Sequence, residues 1–332
     1  MAGKLNFTLE QYQEAATVYR KELAHLPIIG IADYLKYLTP RPNVRGKEVV
    51  TRAHTKAQLA PYKAGRRTDA DLNLDFRVLE TFFGSVNADF EPNTAIQTLI
   101  GHRASQALGD AQASTPSAKE VIALILLDIA ETLGNELFSA VRDAAGNTTH
   151  DLFNGFDTIT RKEIEDGNIS AKNRNYVKLS EKITKANAVD ALKDIMYRMD
   201  PILRNTDCMM YCSPKIADYY NEAYKLSSGG ILYNEKYNQC YLEGSNRRIT
   251  IVPFANKADS DYIHITPKSN MLVGFDAAND IENVKVREFE PDILTASLKM
   301  FFGTEIECLD RRVFMVAELA DGDSGNYFPE EP

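Results

Sequence analysis

The stretch from Thr115 to Asp157, TPSAKEVIALILLDIAETLGNELFSAVRDAAGNTTHDLFNGFD, constrains the fold more than any other part of the chain. Thr115 stands as an N-cap, Pro116 occupies the first helical position, and Ser117 with Glu120 completes a capping box. Ile122, Ile125, Leu126, Ile129, Leu133, Leu137, Val141 and Ala144 then recur at spacings of three and four. Such spacing keeps one apolar stripe facing a single partner surface. Arg142 suits a last helical turn and Gly146 supplies a stop. The pattern predicts a helix over 116–145, roughly 40 Å long at about 1.5 Å per residue. A polar, turn-rich segment follows and ends in DLFNGFD. Taken alone, the helix also suits the core of an unspecialised α+β protein, and the remaining chain has to decide.

Composition narrows the classes. The 332 residues are enough to bury one large core or two to three smaller ones. With 38 basic and 47 acidic residues the formal net charge is −9, a poor balance for a dedicated nucleic-acid binder. It suits a wall that touches nucleic acid without gripping it, and equally many acidic enzymes. No run of eighteen apolar residues exists to span a membrane, and the N-terminus lacks the apolar region of a signal peptide. The expectation is therefore a cytoplasmic protein without membrane contact. Four scattered cysteines, Cys208, Cys212, Cys240 and Cys308, fit a reducing compartment better than a disulfide framework.

Before the long helix, residues 7–24 read as an amphipathic helix capped by Thr8. Residues 26–46 carry Pro27, Pro40 and Pro42 and predict an extended arm anchored by Ile28, Ile29, Ile31 and Leu35. A strand over 48–54 and one or two more over 72–89 flank the charged segment KAQLAPYKAGRRTDAD. A two-stranded ribbon of this kind has no stability of its own in water and must lie on something, its own domain or another chain. Residues 93–111 give a second helix, capped by Asn93.

After the DLFNGFD turn come a polar stretch over 161–182 and a helix over 186–204 ending near Pro201. A short strand CMMYC (208–212) precedes a helix opened by Ser213 and Pro214, SPKIADYYNEAYK. Strands are expected over 238–242, 247–254, 261–266 and 271–275, and the region 282–318 alternates as strand throughout. The last twelve residues, DGDSGNYFPEEP, predict a frayed acidic tail.

Chemistry-bearing motifs are few. Cys208 and Cys212 place two thiols on one strand face, but Cys240 and Cys308 give no second pair for zinc, and buried thiols are the simpler reading. The five histidines show no metal-ligand spacing. Asp321 to Gly325 starts like a calcium loop, yet Asn326 stands where the turn glycine is needed. Asp69 and Asp71 read as a solvated charged tip. No phosphate-binding or nucleophile-elbow motif occurs. The expectations are no catalytic residues, no cofactor and no metal.

The long capped helix followed by a Leu-x-Asn-Gly turn resembles the spine helix and turn of the major capsid proteins of tailed bacteriophages, the HK-97-type fold. The order helix, link, long helix matches that family, as does the segment strand, SPKIADYY helix, Gly229-Gly230, strand, RRITIVPF. The resemblance covers about residues 30–318 and lies in the order of elements.

It implies an α+β fold with an N-terminal arm (1–46) and an extended E-loop (47–91) that reaches a neighbouring subunit. It further implies a peripheral P-domain (92–157 and 278–311) around a spine helix at 116–145, an axial A-domain (158–277 and 312–320), and a flexible acidic tail (321–332). By the same resemblance Lys63, Arg66 and Arg67 lie near the loop tip and contact the neighbour. The implied protein is no enzyme. It assembles with itself as pentamers and hexamers into an icosahedral capsid enclosing DNA, with scaffold and portal proteins as further partners. Its place is the virion capsid, and the host cytoplasm during assembly. Two other readings stay open: an encapsulin-type compartment shell, and an α/β enzyme with an unrecognised active site.

Overall fold

A computed structural model describes residues 9–55, 61–64, 72–91, 118–227, 240–276, 284–290, 293–323 and 325. The longest helix among the described residues, α4 (Ala118–Asn135), turns its Ile122, Leu126 and Leu133 into the core, as the stripe requires. Two short helices, α1 (Leu9–Val18) and α2 (Arg20–Gly30), pack against it, followed by α3 (Ala32–Leu35) and strand β1 (Thr39–Pro42). The expected extended arm is thus helical as far as Leu35, with Pro27 inside α2. Burial explains this. Leu23 and Ile31 are fully covered, and a Cβ at Gly30 would lie 2.4 Å from the Ala130 Cβ. Tertiary packing of this closeness outweighs the local cost of one proline.

The long helix is shorter than its stripe. It ends at Asn135, and Val141 and Ala144, the last two stripe positions, are exposed. The reason lies in the groups that every helix end leaves unpaired. The carbonyls of Leu137, Phe138 and Ala140 accept from the N–H groups of Phe156 (3.2 Å), Asp157 (3.0 Å) and Gly155 (2.8 Å), which open the next helix, α5 (Phe156–Glu165). The DLFNGFD turn therefore folds back on the end of α4. The expected helix caps at 115–117 and the expected helix over 93–111 lie outside the described residues.

Strands β2 (Lys47–Thr55) and β3 (Leu72–Glu80) form a two-stranded antiparallel sheet of their own. After Thr81 the chain returns as β4 (Phe82–Phe90), which pairs with β11 (Ile293–Ile306). The fourteen-residue β11 organises the first sheet. Along its length it also pairs with β10 (Val284–Glu290) and β9 (Met271–Asp276), and β9 in turn takes β1 in parallel.

Beyond α5 come β5 (Tyr176–Lys178), α6 (Ala188–Arg198) and α7 (Pro201–Arg204). The single helix expected over 186–204 breaks because Met199 is extended and Asp200 caps a new turn with Pro201 at its start. Strand β6 (Cys208–Cys212), helix α8 (Pro214–Ser227), β7 (Ile249–Pro253), β8 (Tyr262–Thr266) and β12 (Met315–Glu318) follow. The second sheet runs β5-β12-β8-β6-β7.

This second sheet is a wall between two cores. Met210, Ile251, Ile263, Ile265 and Met315 face one core with α6 and α8. Tyr211, Val252, Tyr262 and Val316 face the other, which holds α4 and the first sheet. All five residues of β8 are consequently buried, although they alternate apolar and polar on one side. Cys208, Cys212 and Cys308 are buried thiols outside any disulfide, and Cys240 is exposed.

The C-terminal segment differs from the expected frayed tail over its described part. Asp323 accepts from the Ile183 N–H (3.0 Å), its carboxylate lies 3.2 Å from the Lys215 ammonium, and Gly325 is buried.

Gly155 is the residue that the α4–α5 joint cannot lose. A Cβ there would lie 2.3 Å from the Phe138 carbonyl oxygen and 2.9 Å from the Ala140 nitrogen, both backbone atoms. Gly155→Ala is expected to lose about 1–3 kcal/mol of stability, read by urea unfolding.

Candidate functional site

The root of the β2–β3 ribbon places two unlike faces back to back. Register pairs Val49 with Val78 and Val50 with Arg77, and side chains alternate across the sheet with period two. Val50 and Leu79 turn inward and pack with Val44 and Leu272. Val49, Phe76 and Val78 turn outward at 59%, 64% and 40% exposure. Among the described side chains of the ribbon, three large apolar ones thus share one open face, and Val50 and Leu79 pack on the other. Lys47 and Glu80, cross-strand partners on the same outer face, form an ion pair of 3.0 Å at the edge.

Polar groups fasten the root. The Thr81 hydroxyl donates to the Val44 carbonyl (3.1 Å) and accepts from the Gly46 N–H (2.9 Å). Arg45 pairs with the buried carboxylate of Asp276. Arg77, on the inner face, reaches both Glu163 of α5 (2.8 Å) and Glu305 of β11 (2.7 Å), all three being mostly covered. Burial pushes the Glu305 carboxyl above its ordinary range, and the Arg77 guanidinium pulls it back down. One cation therefore ties the ribbon to a helix and a strand 86 and 228 residues away in sequence.

A second polar cluster lies at the joint between α5 and β8. The fully buried Lys257 ammonium donates to Asp157 Oδ1 (3.0 Å) and Ser260 Oγ (2.8 Å), and lies 3.3 Å from His264 Nδ1. Thr160 Oγ1 gives its only proton to the Phe156 carbonyl (2.8 Å), so it accepts from His264 Nε2 (2.8 Å). This fixes the imidazole with its proton on Nε2 and leaves Nδ1 as the third acceptor for Lys257. All three ammonium protons are used, and the Phe138 ring covers the charge at 4.3 Å.

Burial lowers the Lys257 pKa and Asp157 opposes that shift. Burial first, and the Lys257 charge second, hold His264 well below 6.5. A cleft of about 350 Å³ adjoins the cluster and is lined by Glu136, Asp157, Arg161, Ser260 and Asp261 among others. Lys257 and His264 do not reach it. With its hydrogen bonds complete, the cluster holds a joint and presents no free nucleophile or base.

Of the residues expected at an inter-subunit contact, Lys63 is exposed beside Tyr62, itself 95% exposed. Arg66 and Arg67 lie outside the described residues. Sequence reasoning missed Val49, Phe76 and Val78, although apolar residues on both faces of two predicted strands were a usable signal. It missed the Arg77 and Lys257 clusters because their partners sit far apart in the chain with no motif between them.

No family model matches the sequence, and no curated protein does. Solved structures do match its architecture. A chain of the satellite phage P4 procapsid including the size determination (Sid) protein aligns with a TM-score of 0.52 at 14% identity, covering 87% of this chain and 96% of that one. A chain of the capsid of the native GTA particle gives 0.51 at 14% identity, over 86% and 95%. The holo-SrpI encapsulin complex from Synechococcus elongatus gives 0.50 at 10% identity, over 90% of each chain. The likeness is one of fold. This chain has the α+β capsid fold of the HK-97 type, the architecture common to these phage, particle and encapsulin shells.

Two outcomes follow from the clusters. Arg77→Met leaves Glu163 and Glu305 facing each other without a cation, and should cost about 3 kcal/mol at pH 7. With Glu305 then raised by burial and no longer pulled down by Arg77, the native state binds more protons than the unfolded one, so the variant regains stability as pH falls from 7 to 5. Denaturant titrations at several pH values read both effects. The depressed His264 acts in the opposite sense. Its contribution is present above 6.5 and is lost as pH falls below that value, because the unfolded chain takes up the proton first. The slope from this group approaches about 1.4 kcal/mol per pH unit, and His264→Gln removes it.

Proposed function

We propose that this chain is a structural shell protein, the major capsid protein of a tailed phage or prophage. In this reading it associates as pentamers and hexamers into an icosahedral capsid that encloses DNA, and it is not an enzyme. The observation that carries the proposal is the ribbon. Within a capsid fold, a two-stranded element stands on the body by one face and offers Val49, Phe76 and Val78 on the other. A ribbon of this kind becomes stable when a second surface covers the open face.

The division of labour we propose is an arm over 1–46 and a loop over 47–91 that cross onto neighbours. A peripheral domain comprises 92–157 and 278–311, and an axial domain comprises 158–277 and 312–320. Two cores separated by the second sheet agree with the last two units. Lys63, Arg66 and Arg67 are assigned to the contact with a neighbour. A net charge of −9 suits an inner wall that confines DNA without holding it. Scaffold and portal proteins are the further partners, and assembly takes place in the host cytoplasm. The likeness to an encapsulin complex supports a second reading, a compartment shell around a cargo protein.

Electron microscopy of the purified protein at high concentration tests the proposal, with shells or rings of five and six expected. A protein that stays monomeric under all assembly conditions sinks it. Particles filled with nucleic acid favour the capsid, and particles filled with one protein favour the compartment. Phe76→Glu should weaken each contact by about 2 kcal/mol or more and leave dispersed, folded subunits. Unchanged particles from this variant would remove the ribbon from the interface.

A further inference from the structure

The first sheet has two unlike edges. At one, β10 carries Lys285, Arg287, Glu288 and Glu290, and its register with β11 shifts between Glu288 and Glu290. The Gln13 side chain of α1 also donates to the Val286 carbonyl there (3.4 Å). Charge, broken register and a covering element are the usual means of closing an edge to foreign strands. β4, at the other edge, lacks them. Its nine residues, FFGSVNADF, pair with β11 without a register shift and include neither proline nor lysine. Its single charge, Asp89, accepts from the Thr295 hydroxyl of β11.

β9 and β10 both lie on the far side of β11, so β4 has one neighbour along its whole length. Among the described residues, no backbone group of 82–90 bonds to anything but β11. Ser85, Asn87 and Asp89 are exposed, as are Phe83 at 53% and Val86 at 37%. Alternate N–H and C=O groups of the strand therefore point away from the sheet without a partner.

A row of backbone donors and acceptors is matched by another strand, and β4 is its own complement. Antiparallel pairing of two copies over the whole of 82–90 sets Val86 opposite Val86. Ser85 then meets Asn87, Gly84 meets Ala88, and Phe83 meets Asp89. No like charges oppose each other in this register, and every side chain keeps its face of the sheet. The two Val86 side chains, open in a single copy, cover each other.

We infer that β4 is a two-fold contact between copies of this chain, where two first sheets join edge to edge through paired β4 strands. This rests on the reading that copies associate, and adds which backbone they share. Such a contact is isologous and closes after two copies, which leaves the open ribbon face for a different neighbour.

Deuterium exchange read by mass spectrometry, on assembled particles and on dispersed subunits of the full chain, tests this. In dispersed subunits about half of the amides of 82–90 should exchange fast, and assembly should slow those same amides many-fold. Val86→Lys places two ammoniums opposite each other and should raise the concentration needed for assembly several-fold. Val86→Glu should do the same, and an equal mixture of the two variants should restore assembly, because opposite charges then meet across the two-fold. Particles whose 82–90 amides stay fast overturn the inference and leave the shell reading standing. A mixture that assembles no better than either variant alone also overturns it. A protein that never assembles sinks both.

Discussion

A backbone joint between the segment that leaves α4 and the start of α5 holds this structure together. The first N–H groups of α5 are groups that a helix cannot pair internally, and here they donate to the carbonyls of Leu137, Phe138 and Ala140 across the fourteen residues between Ala140 and Gly155. The contact is backbone to backbone and therefore rigid. It brings Phe138 over the Lys257 ammonium and Asp157 beneath it, so the joint and the buried cluster form one unit. Through His264 the same unit reaches β8, the central strand of the wall between the two cores. An uncompensated charge at this depth would be strongly destabilising. Three acceptors around Lys257 remove that penalty only in one geometry, which fixes how α5 meets the second sheet.

The ribbon stands in contrast to this rigid interior. Its root is fixed by Leu79, Thr81 and Arg77, each reaching a different element of the body. Its outer face repeats valine and phenylalanine where an isolated protein would place polar residues. A strand pair that is apolar on both faces fits a position between two surfaces, and the body supplies only one of them. This asymmetry, on a fold shared with capsid and encapsulin shells, is why association is the function we assign.

The charged groups divide along the same line. Lys257 is fully buried with its three protons engaged and Arg77 is mostly covered between two carboxylates, while Lys63 of the loop and Lys182 and Lys185 near α8 are exposed. Interior ions fix the angles between elements, and surface ions remain for partners.

Local patterning by itself determined the elements: the α4 stripe, the CMMYC strand, the Ser213-Pro214 helix start, the two ribbon strands and the long alternation that became β11. These rest on periods of 2 and 3.6 residues and on capping chemistry, which act over a few positions. The order of those elements was also enough to suggest a capsid-type fold. Tertiary structure alone decided that α4 stops at Asn135, since the competing hydrogen bonds come from residues 155–157. It alone made the proline-bearing arm helical, because Ala130 and Ile31 reward close packing that no local rule contains. It alone assembled Arg77 with Glu163 and Glu305, and Lys257 with Asp157 and His264. A charged residue carries no mark of its distant partner, and only the folded backbone determines which opposite charge it meets away from water.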